Sequence, residues 1–270
     1  MRIDEYFSEQ KIEFYGVLDY KDVRETYSAL MERAGFTPRS VIIYVLPYYT
    51  GETVNISRYA ASLDYHIAIK ELGEGIVSAL SEDFTDFNAR GYGDHSPIDE
   101  RDAAIKAGLG ILGKNGLVIN EKYGSYIFIG DIITDIPPEC LSAKEPLEYR
   151  FCHGCGACLR ACPTGVLRGE SPECLSAITQ KKGELSEWEI ALIREYNTVW
   201  GCDLCQSSCP FNSSPLMTPV EFFYRDRIEC LTEEMLSDMD KETFEKRAFA
   251  WRKRKTVERN LSIFKEDNAN

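Results

Sequence analysis

Cys152-His153-Gly154-Cys155-Gly156-Ala157-Cys158-Leu159-Arg160-Ala161-Cys162-Pro163 decides how the rest of the chain is read. Three cysteines separated by two-residue gaps, then a fourth that precedes proline, form a loop suited to a cubane 4Fe-4S cluster. Short gaps let the backbone wrap the cluster with its amides toward the sulfurs, and Gly154, Gly156 and Ala157 permit the close approach. The fourth cysteine, at a Cys-Pro step, points away and serves another cluster, so the motif implies a second one.

Outward from that loop, Cys202-x-x-Cys205-x-x-x-Cys209-Pro210 repeats the Cys-Pro ending but lacks one cysteine, which Cys174 can supply. The inferred pairing places Cys152, Cys155, Cys158 and Cys209 on one cluster and Cys162, Cys174, Cys202 and Cys205 on the other. The whole reads as a bacterial-ferredoxin-like double 4Fe-4S module over residues 149–217. Zinc is the alternative, but zinc knuckles come as two separated pairs and not as three cysteines in one loop. Of the ten cysteines, Cys140 and Cys230 have no partner at useful spacing and are expected to be ordinary buried thiols. His153, between cluster cysteines, is read as filler or as a hydrogen-bonding neighbour.

A chain of 270 residues, 44% hydrophobic and 28% charged, is long enough for a substantial core, which excludes a disordered tail protein. The longest apolar runs, residues 40–49 and 126–133, are too short to span a membrane. Met1-Arg2-Ile3-Asp4-Glu5 lacks the basic start and apolar centre of a secretory signal, so a cytoplasmic location is expected, where a disulfide framework is out of place. A net charge of −13 argues against generic nucleic-acid binding. The exception is the segment from Phe244 to Arg259, with seven basic residues (Lys246, Arg247, Arg252, Lys253, Arg254, Lys255, Arg259) against Glu245 and Glu258. It reads either as a docking face for an anionic partner or as a solvated helix face.

Before the cysteines the pattern is mixed α/β. Residues 12–18 and 40–46 are expected strands, the second stopped by Pro47, and residues 21–34 an amphipathic helix stopped by Gly35. A long helix is expected over 57–80 and a shorter one over 99–107. Residues 116–120 and 125–133 read as strands joined by a turn at 121–124. The expected organisation is a layered α/β domain over 1–148, the cluster module over 149–217 with a helix over 186–196, and a helical basic tail over 218–270. Gly108-Leu109-Gly110-Ile111-Leu112-Gly113 fits a dinucleotide fingerprint but follows a helix and not a strand, so NAD is not expected.

Several stretches together resemble the epoxyqueuosine reductase family: Gly93-Asp94-His95-Ser96-Pro97-Ile98-Asp99-Glu100-Arg101, Ala107 to Asn115, Gly124 to Gly130, Ile56-Ser57-Arg58-Tyr59-Ala60, Asp64-Tyr65-His66, and Gly201-Cys202-Asp203-Leu204-Cys205-Gln206 within the cysteine module. The matches span roughly residues 40–215. The resemblance implies a cobalamin-dependent reductase, related in design to reductive dehalogenases, in which two 4Fe-4S clusters pass electrons to cobalt. The implied substrate is the epoxide of epoxyqueuosine at the wobble position of tRNA, converted to the alkene of queuosine by two electrons and two protons with loss of water. An external low-potential electron donor is implied as a partner, and no membrane.

Residue by residue, Asp94 matches the family's proton donor, with a turn cap as its other reading. To act near neutral pH it would need a raised pKa, which burial could supply. Arg58, Lys114, Asn115, Ser125 and Asp203 match corrinoid contacts. Arg58 reads otherwise as an ion pair, and Asp203 as a turn cap. Asp99 and Glu100 read as first-turn charges of the following helix. Longer members of the family continue into a helical-repeat domain that helps grip the tRNA, whereas this sequence reads as a short form without it. Two other functions share the same residues: the same redox machine acting on a small molecule, and a plain iron-sulfur electron carrier.

Overall fold

Alternating β-branched and aromatic residues make Ser40–Pro47 a strand buried on both faces, and the sheet is assembled around it. The computed structural model describes residues 2–264, which divide into two compact units: the first runs to Tyr48 and resumes over His66–Gly154, the second comprises Tyr49–Tyr65 and the chain from Cys155 onward.

In the first unit, helix α1 (Arg2–Glu9) precedes strand β1 (Tyr15–Asp19), α2 (Ser28–Ala34), β2 (Ser40–Pro47), α3 (Tyr65–Asp83), β3 (Ala89–Tyr92), α4 (Glu100–Lys106), a small hairpin β4 (Ile111–Leu112) and β5 (Val118–Ile119), and β6 (Ile127–Thr134). The main sheet has the order β1-β2-β6-β3 with every pair antiparallel. Val41, Ile43, Val45 and Ile133 turn one face toward Ala103 and Ala104 of α4. On the other face the Tyr44 ring lies so close to Gly130 that a Cβ there would meet the ring at 2.4 Å. Gly73 of α3 and Gly91 of β3 likewise approach each other beside Ile132.

The second unit carries α5 (Ala157–Ala161), α6 (Leu175–Thr179), α7 (Glu187–Glu195), α8 (Leu204–Ser207), α9 (Glu233–Asp238), α10 (Lys241–Glu245) and α11 (Arg254–Ser262). Its largest core joins Ile56 and Ala60 to Trp200, Ile228, Phe249, Val257 and Leu261. Ser186 closes a full capping box with Glu189 at the start of α7, which fixes that end of the helix.

The mixed α/β class is as expected, and α4, α7 and β2 fall where their patterns place them. Other elements differ for identifiable reasons. The expected helix over 21–34 is helical only from Ser28, because the Thr26 and Tyr27 amides donate to the Pro97 carbonyl and Glu25 bridges to Ile98. Gly35 does stop it, in the left-handed region at φ 78°. The expected helix over 57–80 starts only at Tyr65, since the Ser57 amide donates to Trp200 O and the Asp64 amide to Lys246 O. The turn over 121–124 is closed by Asn120 and Gly124, yet its flanks serve different sheets, β5 pairing back to β4 and β6 joining β2 and β3. Helix α1 and the short polar strand β3 were not anticipated.

The division into units also departs from the expected boundaries near 148 and 218. Residues 49–65 belong with the cysteine-bearing unit, through a bridge from Ile56 to Trp200 and another from Leu63 to Arg247. The C-terminal helices belong to that unit as well. Asn260, fully buried, donates through Nδ2 to Thr179 O at 2.7 Å and to Val199 O at 2.8 Å. Asn260→Leu leaves two buried carbonyls without a donor and is expected to lower stability by about 2–4 kcal/mol, read as a lower denaturation midpoint at unchanged slope in a urea titration of the cluster-loaded protein.

Candidate functional site

The cysteine loops are built from short helices that start and stop within a few residues. Gly156, in the left-handed region at φ 75°, begins α5, which carries Cys158, and α5 packs on α8, which carries Cys205. Cys162 is buried; burial pushes its thiol up, but hydrogen bonds from the Leu167, Gly165 and Thr164 amides and the Thr164 hydroxyl outweigh that and lower it. Amides aimed at a sulfur are what a cluster thiolate needs. Cys202 is pushed up to about 12, first by burial and then by the neighbouring Cys174 and Cys205 thiols. Crowded thiols of that kind lose their protons when metal binds. Cys174, the single cysteine between the two runs, is thus in the company of Cys202 and Cys205.

Every cysteine is a free thiol. Among the described residues no three His, Cys, Asp or Glu side chains converge as the ligands of one ion do, whereas a cubane is itself a body inserted between its thiolates and holds them apart. Cys152 stands at the end of the first unit, where its amide donates to Leu112 O at 2.9 Å. Cys140 is exposed and Cys230 half-buried, so the expected burial of these two thiols does not hold. Cys140 lies in a surface 3-10 turn after Pro137-Pro138, outside both cores.

Arg58 and Asp203 are brought together in the second unit. The Arg58 amide and Nη1 donate to Asp203 Oδ2 at 2.7 and 3.1 Å, and Nη1 also donates to Ser207 Oγ at 3.0 Å. Arg58 Nη2 pairs with Glu52, and the Ser57 hydroxyl with Asp203. Asp203 makes no side-chain cap on α8 and binds the 57–58 segment instead. A cavity of about 180 Å³ is lined by Arg58, Asp203, Cys202 and Ser207.

Lys114, Asn115 and Ser125 belong to the first unit. Lys114 is exposed and lies over Gly154; Asn115 Oδ1 accepts the Leu117 amide at 3.3 Å; Ser125 is buried. The glycine pattern of residues 108–113 has an internal cause: a Cβ at Gly110 would strike Ile119 O at 2.6 Å, and one at Gly113 would meet Leu117 O at 3.1 Å. The glycines let the β4–β5 hairpin close.

Asp94 sits in the loop from β3 to α4 with φ 64°, a backbone region that non-glycine residues seldom occupy. Its carboxylate is 71% exposed and lies 4.0 Å from His66 Nε2. The expected burial of Asp94 is therefore not seen. Its amide donates to Glu100 Oε1 at 2.9 Å. A groove of about 590 Å³, lined by His66, Lys70, Arg90, Gly93 and His95 among others, runs beside this loop.

Asp99 behaves as a first-turn charge, capping α4 by accepting the Arg101 and Asp102 amides. Burial would raise its carboxyl, but those bonds and Arg24 hold it below its usual value. Glu100 stands in the first turn of α4 as expected, but burial first, then the nearby Asp131, push its carboxyl well above the usual carboxylate range. Asp131 is fully buried in mid-strand on β6 and is likewise pushed up by burial, with the Ser96 hydroxyl acting in the opposite direction. Sequence reading missed Asp131, although its signal was present as an acidic residue inside the apolar run 126–133.

Three arginines of the basic run are committed to the fold: Arg247 is buried and donates to Asp226 O, Arg254 binds the Leu236 and Met239 carbonyls, and Arg259 binds Lys181 O and Gly183 O, whereas Lys246 makes an exposed pair with Glu242. Lys253 and Lys255 are exposed, and Arg252 stacks on Trp251 at 3.7 Å. Among the described residues no helix is long and apolar enough to cross a membrane.

A sheet domain joined to a unit of thiol loops with two Cys-Pro steps defines a double-cluster iron-sulfur redox protein, and residues 151–212 match the 4Fe-4S double cluster binding domain. The chain is 31% identical to epoxyqueuosine reductase of Leadbetterella byssophila over 84% of this chain and 78% of that protein, and 35% identical to that of Escherichia coli over 62% and 44%. Its fold matches a crystal structure of epoxyqueuosine reductase with an epoxyqueuosine-modified tRNA-Tyr stem loop, with a TM-score of 0.78 at 22% identity over 97% of this chain and 79% of that one. The chain belongs to the epoxyqueuosine reductase family; it is an oxidoreductase and carries two 4Fe-4S clusters.

The raised carboxyls set a pH dependence of stability. A carboxyl whose folded value lies above its unfolded value stabilises the fold at low pH, and that stabilisation is lost as pH rises through the folded value. Asp131→Asn removes one such group, so it is expected to leave thermal stability nearly unchanged at about pH 5 and to raise the midpoint by about 2–4 °C per roughly 1 kcal/mol regained at about pH 9, measured by calorimetry at both pH values.

Proposed function

We propose that this protein reduces the epoxide of epoxyqueuosine in tRNA to the alkene of queuosine, in the cytoplasm, using an external low-potential electron donor. Family membership supports the reaction. The observation that carries it within this chain is the Asp94 loop: an exposed carboxyl, anchored through its own amide, beside an open groove.

The family's cofactors are two 4Fe-4S clusters and cobalamin. The cysteines fit the clusters, with Cys162, Cys174, Cys202 and Cys205 assigned to one and Cys152, Cys155, Cys158 and Cys209 to the other. A corrinoid rim bears amides that both donate and accept; of the residues proposed to contact it, Lys114 and Arg58 donate, Asp203 accepts, and Asn115 and Ser125 can do either. When bound, the clusters supply electrons singly and the corrinoid supplies the cobalt centre that passes them to substrate.

Two electrons and two protons open the epoxide and remove its oxygen as water, leaving a carbon–carbon double bond. An epoxide oxygen leaves poorly as an alkoxide, so a carboxylic acid that protonates it lowers the barrier. Asp94 supplies that proton. Its side chain has a single methylene, and the left-handed backbone at this position gives it a defined direction.

Binding of the basic run to the protein's own carbonyls favours a second reading, in which the same machine acts on a small molecule. The test uses reconstituted holoenzyme with a chemical reductant, offered an epoxyqueuosine-modified tRNA stem loop and, separately, the free nucleoside. Conversion of the stem loop alone supports the proposal; conversion of the nucleoside alone moves the substrate to a small molecule. Asp94→Asn is expected to lower turnover by about 10²–10⁴-fold with cluster content, corrinoid spectrum and melting unchanged. Cys174→Ala is expected to reduce iron from about eight to about four atoms per chain, read by metal analysis, and unchanged iron would refute its ligand role.

A further inference from the structure

Strand β6 places Asp131 opposite Ile43 on β2 and Tyr92 on β3, with its side chain on the face that Val41, Ile43 and Ile133 turn toward α4. A carboxylate there is out of keeping with its neighbours. Neither Asp131 oxygen meets a donor in hydrogen-bonding geometry, and the buried Tyr20 and Tyr92 hydroxyls are likewise without a donor or acceptor in that geometry. Orphaned polar atoms gathered at one point of a native core call for a reason, because each costs free energy to bury.

Around Glu100 and Asp131 the charges are of one sign, while Arg90 and Arg33 act on the Tyr92 hydroxyl. Asp131, Asp94 and Asp99 face Glu100 from β6, the loop and the α4 cap. Tyr20, Tyr92 and Ser96 face Asp131. The nearby cations are engaged elsewhere: Lys106 with Asp102 at 2.8 Å, and Arg24 and Arg101 with Asp99. Two carboxyls that adjoin in a core without a cation cannot both ionise, so one proton stays between them. A protonated Glu100 has two useful atoms. Its hydroxyl can donate to an Asp131 oxygen that otherwise lacks a donor, while its carbonyl-type Oε1 accepts the Asp94 amide at 2.9 Å.

We propose that Glu100 and Asp131 form a proton-sharing carboxyl pair, and that Glu100, through the Asp94 amide, is the positioning residue that holds the Asp94 loop; the catalytic consequence rests on the reading of Asp94 as proton donor. The pair transfers no proton to substrate. With its amide held by Glu100, Asp94 keeps its unusual backbone conformation while its carboxyl stays exposed.

The experiment compares wild type, Glu100→Gln and Glu100→Ala as holoenzymes, with three readouts. Infrared spectra at about pH 8, where ordinary carboxyls are all ionised, should show a protonated carboxyl in wild type that disappears in both variants. Amide exchange of the peptide covering residues 93–98 should quicken at least about tenfold in Glu100→Ala and stay near wild type in Glu100→Gln, whose side-chain oxygen still accepts the Asp94 amide. In turnover of the epoxyqueuosine stem loop, Glu100→Ala should lose about 10²-fold in kcat with KM little changed, and Glu100→Gln should recover most of it. Absence of the protonated carboxyl in wild type overturns the pair. Exchange in Glu100→Ala at the wild-type rate, or a Glu100→Gln variant as impaired as Glu100→Ala, overturns the positioning role. If wild type converts no epoxyqueuosine substrate while the infrared and exchange results are as expected, the pair stands and the proposed reaction is what fails.

Discussion

The antiparallel register of β6 between β2 and β3 is the constraint on which the first unit depends. Side chains alternate along a strand, so the register that puts Ile132 against Gly73 and Gly91 also puts Asp131 on the opposite face, toward α4. A slip of one residue would exchange the two faces completely. Gly130 reinforces the choice, because only a residue without Cβ can sit beneath the Tyr44 ring at that position. The packing of both faces, and the single carboxyl buried in one of them, are thus set by the same pairing.

The second unit solves a different problem. Cys158 and Cys205 stand within helices of five and four residues, and Cys162 and Cys174 cap helices of five; such helices are too short to be stable on their own, so the loops take their shape from what surrounds them. Trp200, directly before Gly201-Cys202, is fully buried in the core formed with Phe249 and Val257, and Asn260 fastens α11 to the carbonyls of Thr179 and Val199. Ser57 and Arg58 bind Asp203, which separates Cys202 from Leu204. Cysteine-bearing backbone is therefore held by residues far away in sequence at both ends of the chain.

This explains what the sequence disclosed and what it withheld. The cluster loops were legible because thiolate spacing is a local requirement, and α4 and α7 because their caps, Asp99 and Ser186, are local too. Residues 57–64 carry a helical pattern but belong to an arrangement set by Trp200 and Lys246, partners about 140 and 180 positions away, and no periodicity can show that. The division of labour within the basic run was hidden for the same reason: a guanidinium that clamps a buried carbonyl has the same one-letter code as one that meets a phosphate. Asp94 was recognisable from its motif, whereas Glu100, six residues on, read as an ordinary helix-start charge until the fold placed Asp131 beneath it.

The choice of a carboxyl to anchor a proton donor follows from electrostatics. An exposed aspartate in a left-handed loop needs something to fix its amide, and an arginine or lysine cannot serve, since neither side chain accepts a hydrogen bond. A cation placed there for any other purpose would also favour the ionised form of a neighbouring carboxyl, which then has no proton to give. A neutral amide would accept the bond without either drawback and could donate below through its NH2 group, but it has no titratable proton to share with Asp131. Glu100 sharing a proton with Asp131 accepts from above and donates below, so the loop is coupled to the central strand of the sheet.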